Sequence, residues 1–324
     1  MKSIVDAFDA MYSAIKNKHA FLKRMFIYSC ERYLIRSIAN WMLPVYFTLT
    51  AGMKKYSLSD IKKEKRVIVS LTSFPFRISK LWLVIETLLR QSYKPDMIIL
   101  WLSKEQFPSQ LMLPKKLLKL KERGLDIRLV DMDIRSHKKY YYAFSEYPDD
   151  IIITVDDDIF YPSSTIADLL EESSKYLYPV VVARYFSVIT WDTSGNLLPY
   201  VQWKHTIDEP TDAIFFGSGG GTLFPPGTLY KDVCNRELFQ ELTPLADDVW
   251  LNAMCRLQGT KIVATNHLST SLLPVMNLRD VALADDNLGC SLNDKQIQSV
   301  REFYAKNKID PFVNLTNSYN NENN

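Results

Sequence analysis

The chain has 324 residues, of which 47% are hydrophobic and 23% are charged. This composition suits one large α/β domain with extra elements, or two small domains, and it excludes global disorder. The formal net charge of +2 creates no large field of one sign, which argues against a nucleic-acid-binding protein.

The cysteines and the N-terminus bear on the compartment. The four cysteines are far apart, without CxxC or CxH spacing, which argues against a zinc site and a disulfide-stapled secreted domain. We therefore expect reduced thiols and a cytoplasmic protein. The N-terminus lacks the layout of a signal peptide. The longest apolar stretch, Ile38–Met53, is interrupted by Asn40 and Pro44 and is shorter than the roughly 20 residues of a membrane-spanning helix, so we predict no such helix.

Residues 1–60 are predicted to form an N-terminal helical extension. Apolar and aromatic residues recur there at helical spacing, with lysines and arginines between them. Two interpretations stay open. The helices pack on the main domain, or residues 1–55 make a peripheral contact with an anionic membrane, which would place the protein at the inner face of that membrane.

From Arg66 onwards, short β-branched runs alternate with helical stretches. The predicted strands are Val67–Leu71, Asp96–Leu102, Ile127–Val130 and Ile151–Val155. The predicted helices are Ile78–Gln91, a lysine-rich segment from about Pro114 to Gly124, and Lys138–Glu146. Strands that are almost wholly apolar and alternate with helices predict an α/β fold, with a mostly parallel sheet sandwiched by helices.

The second half of the sequence is less regular. The predicted strands are Val180–Ile189, Ala213–Phe216 and Lys261–Thr265, and the predicted helices are Ala246–Gln258 and Asn293–Asn307. The asparagine-rich tail contains few apolar residues and is predicted to be disordered. The domain division is therefore an extension over 1–60, a catalytic domain over 61–310 and a tail over 311–324.

Three consecutive carboxylates, Asp156, Asp157 and Asp158, directly follow the strand Ile151–Val155. Open α/β sheets bind ligands beyond the carboxyl ends of their strands. Asp156 and Asp158 should point the same way, and their mutual repulsion requires a cation. This spacing predicts a Mn²⁺ or Mg²⁺ site with positions open to phosphate oxygens. The alternative is a solvated acidic turn in which one aspartate caps the next helix.

Three segments resemble GT-A-fold glycosyltransferases, especially bacterial enzymes that build surface polysaccharides. VDDDIFYP at 155–162 resembles their DxD segment, VSLTSFPFR at 69–77 their first strand and nucleotide-binding turn, and QSYKPD at 91–96 the approach to their second strand. The resemblance spans about 66–259. It implies metal-dependent transfer of a sugar from a nucleotide-diphosphate donor to a carbohydrate or lipid-linked acceptor. Asp156 and Asp158 would then bind the metal–diphosphate, and Asp157 would lie near the donor ribose or sugar.

A second carboxylate pair, Asp247 and Asp248, opens the helix predicted over Ala246–Gln258. Aspartate is favoured at helix starts for capping and for its interaction with the helix dipole. Sugar transfer also needs a base for the acceptor hydroxyl. The segment resembles the ED-x-x-L element of inverting GT-A enzymes, with Asp247 in place of glutamate. By this match Asp248 is the general base and Asp247 a supporting group. Inversion rests on that assignment, and retention stays open.

The resemblance also implies residues that surround the donor. An arginine and a lysine lie near the nucleotide in similar enzymes, in the regions of Arg77 and of Lys138 and Lys139, although such residues can also be solvated surface charges. Thr72 and Pro75 would shape the turn that holds the nucleotide base.

The segment 216–222, FGSGGGT, holds four of the ten glycines and fits neither a Walker A loop nor the GxGxxG pattern. In similar enzymes a glycine-rich segment lines the donor and acceptor space, a role that would fall to Gly219 and Gly220. The alternative is a mobile hairpin without a ligand. In some similar enzymes a late histidine completes the metal shell, which makes His267 a candidate ligand, although a lone histidine is more often structural.

Two other functions stay open. A nucleotidyltransferase of sugar metabolism also uses an α/β sheet and metal-binding carboxylates, but it usually has a glycine-rich basic loop after the first strand, and 70–78 contains no glycine. A noncatalytic scaffold associated with polysaccharide or membrane would be expected to lose an acidic motif, and both are intact. No motif specifies the sugar, the nucleotide, the acceptor or the linkage.

Overall fold

The structure is a computed structural model that describes residues 3–14, 27–53, 56–61, 63–204, 211–265, 272–275 and 292–313. Within them the α-helices are α1 Ile4–Ala14, α2 Ile27–Thr50, α3 Leu81–Leu89, α4 Lys115–Leu118, α5 Lys138–Glu146, α6 Thr165–Ser174, α7 Arg236–Leu242, α8 Asp247–Leu257 and α9 Leu292–Ala305. The strands are β1 Val67–Thr72, β2 Met97–Ser103, β3 Leu125–Val130, β4 Ile151–Val155, β5 Val181–Ala183, β6 Phe186–Val188, β7 Ile214–Phe216, β8 Gly220–Phe224 and β9 Ile262–Ala264.

Seven of these strands form one sheet in the order β3-β2-β1-β4-β8-β5-β9. All neighbours are parallel except β8, which runs antiparallel to both β4 and β5. Strands β6 and β7 form a separate antiparallel pair. The reversed β8 brings its first residue, Gly220, opposite Val155 at the carboxyl end of β4. The sheet thus places two chain segments at the edge where ligands of α/β proteins bind.

Helices cover both faces of the sheet, because alternate side chains of each buried strand enter different cores. One core contains Val69 and Ile153 with helix α3, and the opposite core contains Ile68 and Ile152 with Ala143 of α5. The α/β class and the mostly parallel sheet between helices, predicted from the sequence, are confirmed.

Three predicted elements differ in detail from the structure. The strand predicted over Val180–Ile189 is two strands, β5 and β6, which belong to different sheets. The lysine-rich helix is one α-turn followed by a 3₁₀ segment that ends at Gly124 with φ of 103°. The glycine-rich segment is a turn followed by β8, a central strand of the sheet, and is therefore not a mobile hairpin.

The N-terminal helices α1 and α2 pack into the same core as the sheet. Ala39, Leu43 and Phe47 of α2 are fully buried there. Asp6 of α1 accepts hydrogen bonds from the backbone and hydroxyl of Ser163, both at 2.7 Å. The helical extension therefore rests on the main domain. The proposed division into three segments stays a prediction, and 314–324 lies outside the described residues.

No helix in the described parts of the chain is both long enough and apolar enough to cross a membrane. The described cysteines, Cys30, Cys234 and Cys255, are free thiols, and Cys290 lies outside the described residues.

Candidate functional site

The acidic triplet lies at the carboxyl edge of the sheet, directly after β4. Its first member, Asp156, meets the turn before β8 through a hydrogen bond from its backbone N–H to the Gly219 carbonyl, at 3.0 Å. A Cβ at Gly219 would lie 1.8 Å from the carboxyl carbon of Asp156. Another residue at 219 would therefore require the Asp156 carboxylate or the turn to shift, because real Cβ atoms do not come so close. Gly219 thus lies beside Asp156, and its role in lining the donor and acceptor space stays a prediction.

The second carboxylate of the triplet is turned inward. Asp157 is 8% exposed, accepts a hydrogen bond from the Ser73 hydroxyl at 2.5 Å, and pairs with Arg77 at 2.9 Å. Ser73 and Arg77 follow β1, so these contacts join the ends of β1 and β4. Burial raises the pKa of Asp157, although the Arg77 charge opposes this shift. Asp157 therefore organises the strand ends and offers no free oxygen to a metal.

The third carboxylate is more accessible. The Asp158 side chain is 31% exposed and lies 2.7 Å from the same Arg77 guanidinium. Its pKa is raised to about 7, first because of burial and then because of the negative charge of Asp156. Asp156 and Asp158 are thus the partly open carboxylates of the triplet, and they repel each other despite Arg77.

A buried lysine links the triplet to the second carboxylate pair. Lys139 of α5 is 4% exposed, and its ammonium lies 2.8 Å from Asp156 and 3.0 Å from Asp247. Burial disfavours the charge, but Asp156 and Asp247 together raise the pKa of Lys139 above its ordinary value. The lysine is therefore a fixed cation between motifs that are distant in sequence.

Asp247 and Asp248 open helix α8 but have different surroundings. Asp247 is buried and accepts a hydrogen bond from the Ser218 hydroxyl at 2.6 Å. Burial alone would raise the pKa of Asp247, but Lys139 holds it below its ordinary value. Among the described residues, no cation forms an ion pair with Asp248. Burial, followed by the Asp247 charge, raises the pKa of Asp248 to about 7. Asp247 is thus the permanent anion, and Asp248 can exchange a proton near neutral pH.

A neutral histidine lies at the start of helix α5, which carries Lys139. His137 is buried, stacks on Phe239 at 4.4 Å between ring centroids, and lies 2.7 Å from the Thr243 carbonyl and 2.8 Å from the Tyr140 hydroxyl. Because a carbonyl only accepts, Nε2 carries the proton and Nδ1 accepts from Tyr140. Burial lowers the pKa of His137 to about 4. His137 therefore fixes the start of α5, the helix that carries Lys139.

The remaining residues predicted for the site do not all lie beside the acidic triplet. Thr72 donates to the Trp101 carbonyl at 2.8 Å, and Pro75 lies in the exposed turn after β1. Lys138 is buried and pairs with Asp133, so it does not contact the acidic triplet. Gly220 lies against Tyr185, where an added Cβ would be 2.3 Å from the tyrosine Cβ. The candidate ligand His267 lies outside the described residues.

Sequence reasoning gave Lys139 no separate role and did not single out Ser73 or Ser218. Nothing in the sequence distinguishes Lys139 from Lys138, because adjacent helix residues are equivalent until the packing of the helix is known. Ser218 precedes Gly219 in the glycine-rich segment, and this is the one signal that could have drawn attention to it.

Asp156 and Asp158 fit a divalent cation that also binds phosphate. Their side chains are 41% and 31% exposed, and hard oxygen ligands with open positions suit Mn²⁺ or Mg²⁺. No group of three or more histidine, cysteine or acidic side chains is arranged to hold a metal in the described parts of the chain. A metal at this site would therefore need ligands other than the described side chains to complete its coordination.

A cavity of about 490 Å³ lies at the opposite end of the strands from the acidic triplet, where β1, β2 and β4 begin. Its lining includes Arg66, Asp96 and Asp150, which precede β1, β2 and β4. Arg66 and Lys63 already form ion pairs there with Asp150 and Asp96. This cavity is separate from the acidic triplet and brings together none of the predicted site residues.

No protein-family model and no curated protein matches the chain. It is similar to the solved structure of a mannosyltransferase from Pyrobaculum calidifontis in complex with GDP-Man and Mn²⁺, with 13% identity over 86% of this chain and 77% of that chain and a TM-score of 0.46. It is also similar to that of glucosyl-3-phosphoglycerate synthase from Mycobacterium tuberculosis in complex with Mn²⁺, UDP and phosphoglyceric acid, with 13% identity over 78% of this chain and 82% of that chain and a TM-score of 0.41. A third similar structure is that of 4-diphosphocytidyl-2C-methyl-D-erythritol synthase from Anaerococcus prevotii. It is 14% identical, the match covers 69% of this chain and 96% of that chain, and the TM-score is 0.42.

Proposed function

We propose that this protein is a metal-dependent glycosyltransferase that moves a sugar from a nucleotide-diphosphate donor to a hydroxyl of a carbohydrate or lipid-linked acceptor. One observation carries the proposal. Two acidic motifs meet at the carboxyl edge of the sheet through Lys139, one with two partly open carboxylates and the other with a carboxylate that titrates near neutrality. The first suits a metal–diphosphate, and the second suits a hydroxyl that must lose its proton.

The donor end of the site consists of the residues around the triplet. Asp156 and Asp158 would hold Mn²⁺ or Mg²⁺, which supplies positive charge to the departing diphosphate. Arg77, already 2.7 Å from Asp158, would donate hydrogen bonds to a phosphate oxygen. Gly219 leaves the backbone close to Asp156, so the donor sugar can lie against main chain without a side chain intervening.

The acceptor end is at the start of α8. Asp248 would accept the proton of the acceptor hydroxyl as its oxygen attacks the anomeric carbon. Burial raises the pKa of Asp248, and the charge of Asp247, which Lys139 and Ser218 hold as an anion, raises it further into the range useful for a base. A single displacement with this base inverts the anomeric centre. Tyr200 and Trp203, 4.9 Å apart between ring centroids, pack with Phe215, which supports a structural role for the pair.

The test is a panel of UDP-, GDP-, CDP- and dTDP-sugars incubated with the full chain and Mn²⁺, with and without chelator. We expect one donor to release nucleoside diphosphate, and we expect chelator, Asp158→Asn and Asp248→Asn each to suppress the release. The matched control is Asp149→Asn, which removes an exposed aspartate near the start of β4, at the opposite end of the strands from the acidic triplet.

Other products would point to other functions. Pyrophosphate formation from a nucleoside triphosphate and a sugar phosphate would identify a nucleotidyltransferase. Absence of release, together with no donor-induced rise in melting temperature, would favour the scaffold. Release that survives Asp248→Asn would keep the metal site and remove the base assignment.

A further inference from the structure

Helix α2 is apolar on two opposite faces. Ala39, Leu43 and Phe47 form a stripe that is fully buried in the domain. The opposite stripe is exposed and equally apolar; it comprises Leu34 (59%), Ile38 (39%), Trp41 (74%), Met42 (36%), Val45 (53%) and Leu49 (81%). A surface helix of a globular protein normally carries polar residues on its solvent side. The exposed stripe of α2 therefore needs a cover that the rest of the described chain does not provide.

The charge of the surrounding sequence indicates which cover fits. Residues 1–65 contain twelve lysines and arginines and five aspartates and glutamates, a formal charge of +7, while residues 66–324 carry −5. An apolar helix face within a basic segment is typical of helices that lie in the interface of an anionic bilayer, with tryptophan at the level of the headgroups. A protein partner would need no such segregation of charge along the chain.

Helix α2 is also joined to the proposed catalytic site. The side chain of Asn40 donates to the Pro274 carbonyl at 3.0 Å, and Val275, the next residue, donates its backbone N–H to the backbone carbonyl of Asp158 at 2.7 Å. At the other end of the site, Arg32 of α2 and Asp248 both interact electrostatically with Tyr185. A bilayer on the exposed stripe would thus be separated from the residues around both acidic motifs by α2 itself, a helix about 10 Å across.

We propose that the exposed stripe of α2 docks the protein on an anionic lipid bilayer, with Trp41 and Leu49 inserted among the headgroups. Docking does not depend on the proposed transferase activity. If that activity holds, docking favours a lipid-linked acceptor over a free glycan, because α2 would hold the site close to the surface in which such an acceptor is anchored.

Flotation of the full chain with vesicles tests the docking. We expect binding to equimolar phosphatidylcholine and phosphatidylglycerol, and much weaker binding to phosphatidylcholine alone. Trp41→Ser/Leu49→Ser should weaken binding at least about tenfold, because two large apolar side chains no longer leave water. The matched control is Leu111→Ser/Met112→Ser, since these residues are 90% and 68% exposed but lie outside α2.

Two further measurements make the result decisive. Tryptophan emission should shift to the blue with the anionic vesicles, and Trp41→Phe should float but lose most of that shift. Nucleotide release by Trp41→Ser/Leu49→Ser in lipid-free solution should equal that of the wild type, which separates docking from catalysis. Equal flotation of the double variant and the wild type would overturn the proposal. So would a dimer that the same substitutions convert to monomer, without flotation, because a second copy would then be the cover.

Discussion

The ammonium of Lys139 lies 3.0 Å from Oδ2 of Asp247, and the same ammonium lies 2.8 Å from Oδ1 of Asp156. One buried cation thus holds a carboxylate from each of the two acidic motifs. Removing one partner of a buried charge network leaves the others without compensation, which usually costs more than the net stabilisation by the network. Lys139 should therefore matter both for folding and for the geometry of the site.

We expect Lys139→Met to lower the free energy of unfolding by about 3 kcal/mol, because Asp247 would remain buried without a cation. Urea denaturation measures the loss. The control Lys104→Met removes an exposed ion pair with Asp131 and should change stability by less than about 1 kcal/mol. Similar losses in both variants would show that Lys139 stabilises the protein no more than a surface charge does.

The rate of sugar transfer should depend on the ionisation of Asp248. A general base acts only when deprotonated, and burial together with Asp247 raises the pKa of Asp248 to about 7. We therefore expect kcat/KM to increase with pH up to about 7 and to level off above it. Asp247, whose pKa is lowered, should not titrate in this range.

The pH profile is measured with the donor found in the panel, at saturating Mn²⁺. Asp248→Asn should lower kcat about a hundredfold or more and remove the rising limb of the profile in any residual activity. A flat profile across neutral pH for the wild-type enzyme, with chemistry rate-limiting, would assign the base elsewhere.

The sequence predicted the parts of this fold and site that depend on local pattern. Strand β4 and the triplet after it could be located because an apolar run followed by carboxylates implies both burial and position. Helix α5 was also predicted with its observed bounds, Lys138–Glu146. Apolar periodicity and strand order therefore sufficed for the α/β class.

Features that depend on long-range packing could not be predicted. The reversed strand β8 was missed, because Gly220 and Gly221 carry no strand signal and the pairing with β4 is set by tertiary contacts. The choice of Lys139 over Lys138 as the lysine at the site depends on the rotation of α5 about its axis. The exposed stripe of α2 appears only once the position of the buried stripe is known.

Arg77 should favour binding of the donor's diphosphate and oppose binding of the metal ion. Its guanidinium contacts Asp157 and Asp158, so it attracts a diphosphate and repels a metal ion held by the same carboxylates. We expect Arg77→Gln to weaken nucleoside diphosphate binding about tenfold, and to leave Mn²⁺ binding without nucleotide unchanged or tighter. Calorimetric titration measures both affinities.

Circular dichroism should show that Arg77→Gln is folded, because Asp157 keeps its hydrogen bond to Ser73. Thermal unfolding should show a lower melting temperature than the wild type, because the buried Asp157 loses its cation. The control Arg301→Gln removes an arginine that pairs with Asp310 and should alter neither affinity. Weaker Mn²⁺ binding by Arg77→Gln would contradict this account of the charge balance.

Replacing Gly219 should disturb the site for a steric reason, because there is no room for a side chain beside Asp156. A Cβ there would lie 1.8 Å from the carboxyl carbon of Asp156. In Gly219→Ala, either this carboxylate must leave Lys139 or the turn before β8 must move. We expect a stability loss of about 1–3 kcal/mol, as for overpacked sites. We also expect Mn²⁺-dependent nucleotide binding to weaken at least about tenfold, measured by calorimetry.

The matched control for Gly219→Ala is Gly52→Ala. An added Cβ at Gly52 has no atom within 4 Å, so this substitution tests the general effect of replacing glycine by alanine in the chain. Its stability and nucleotide affinity should equal those of the wild type. If Gly219→Ala also bound nucleotide and Mn²⁺ normally, the Asp156 carboxylate would be free to occupy another position, and its placement against Gly219 would have no role in binding the metal.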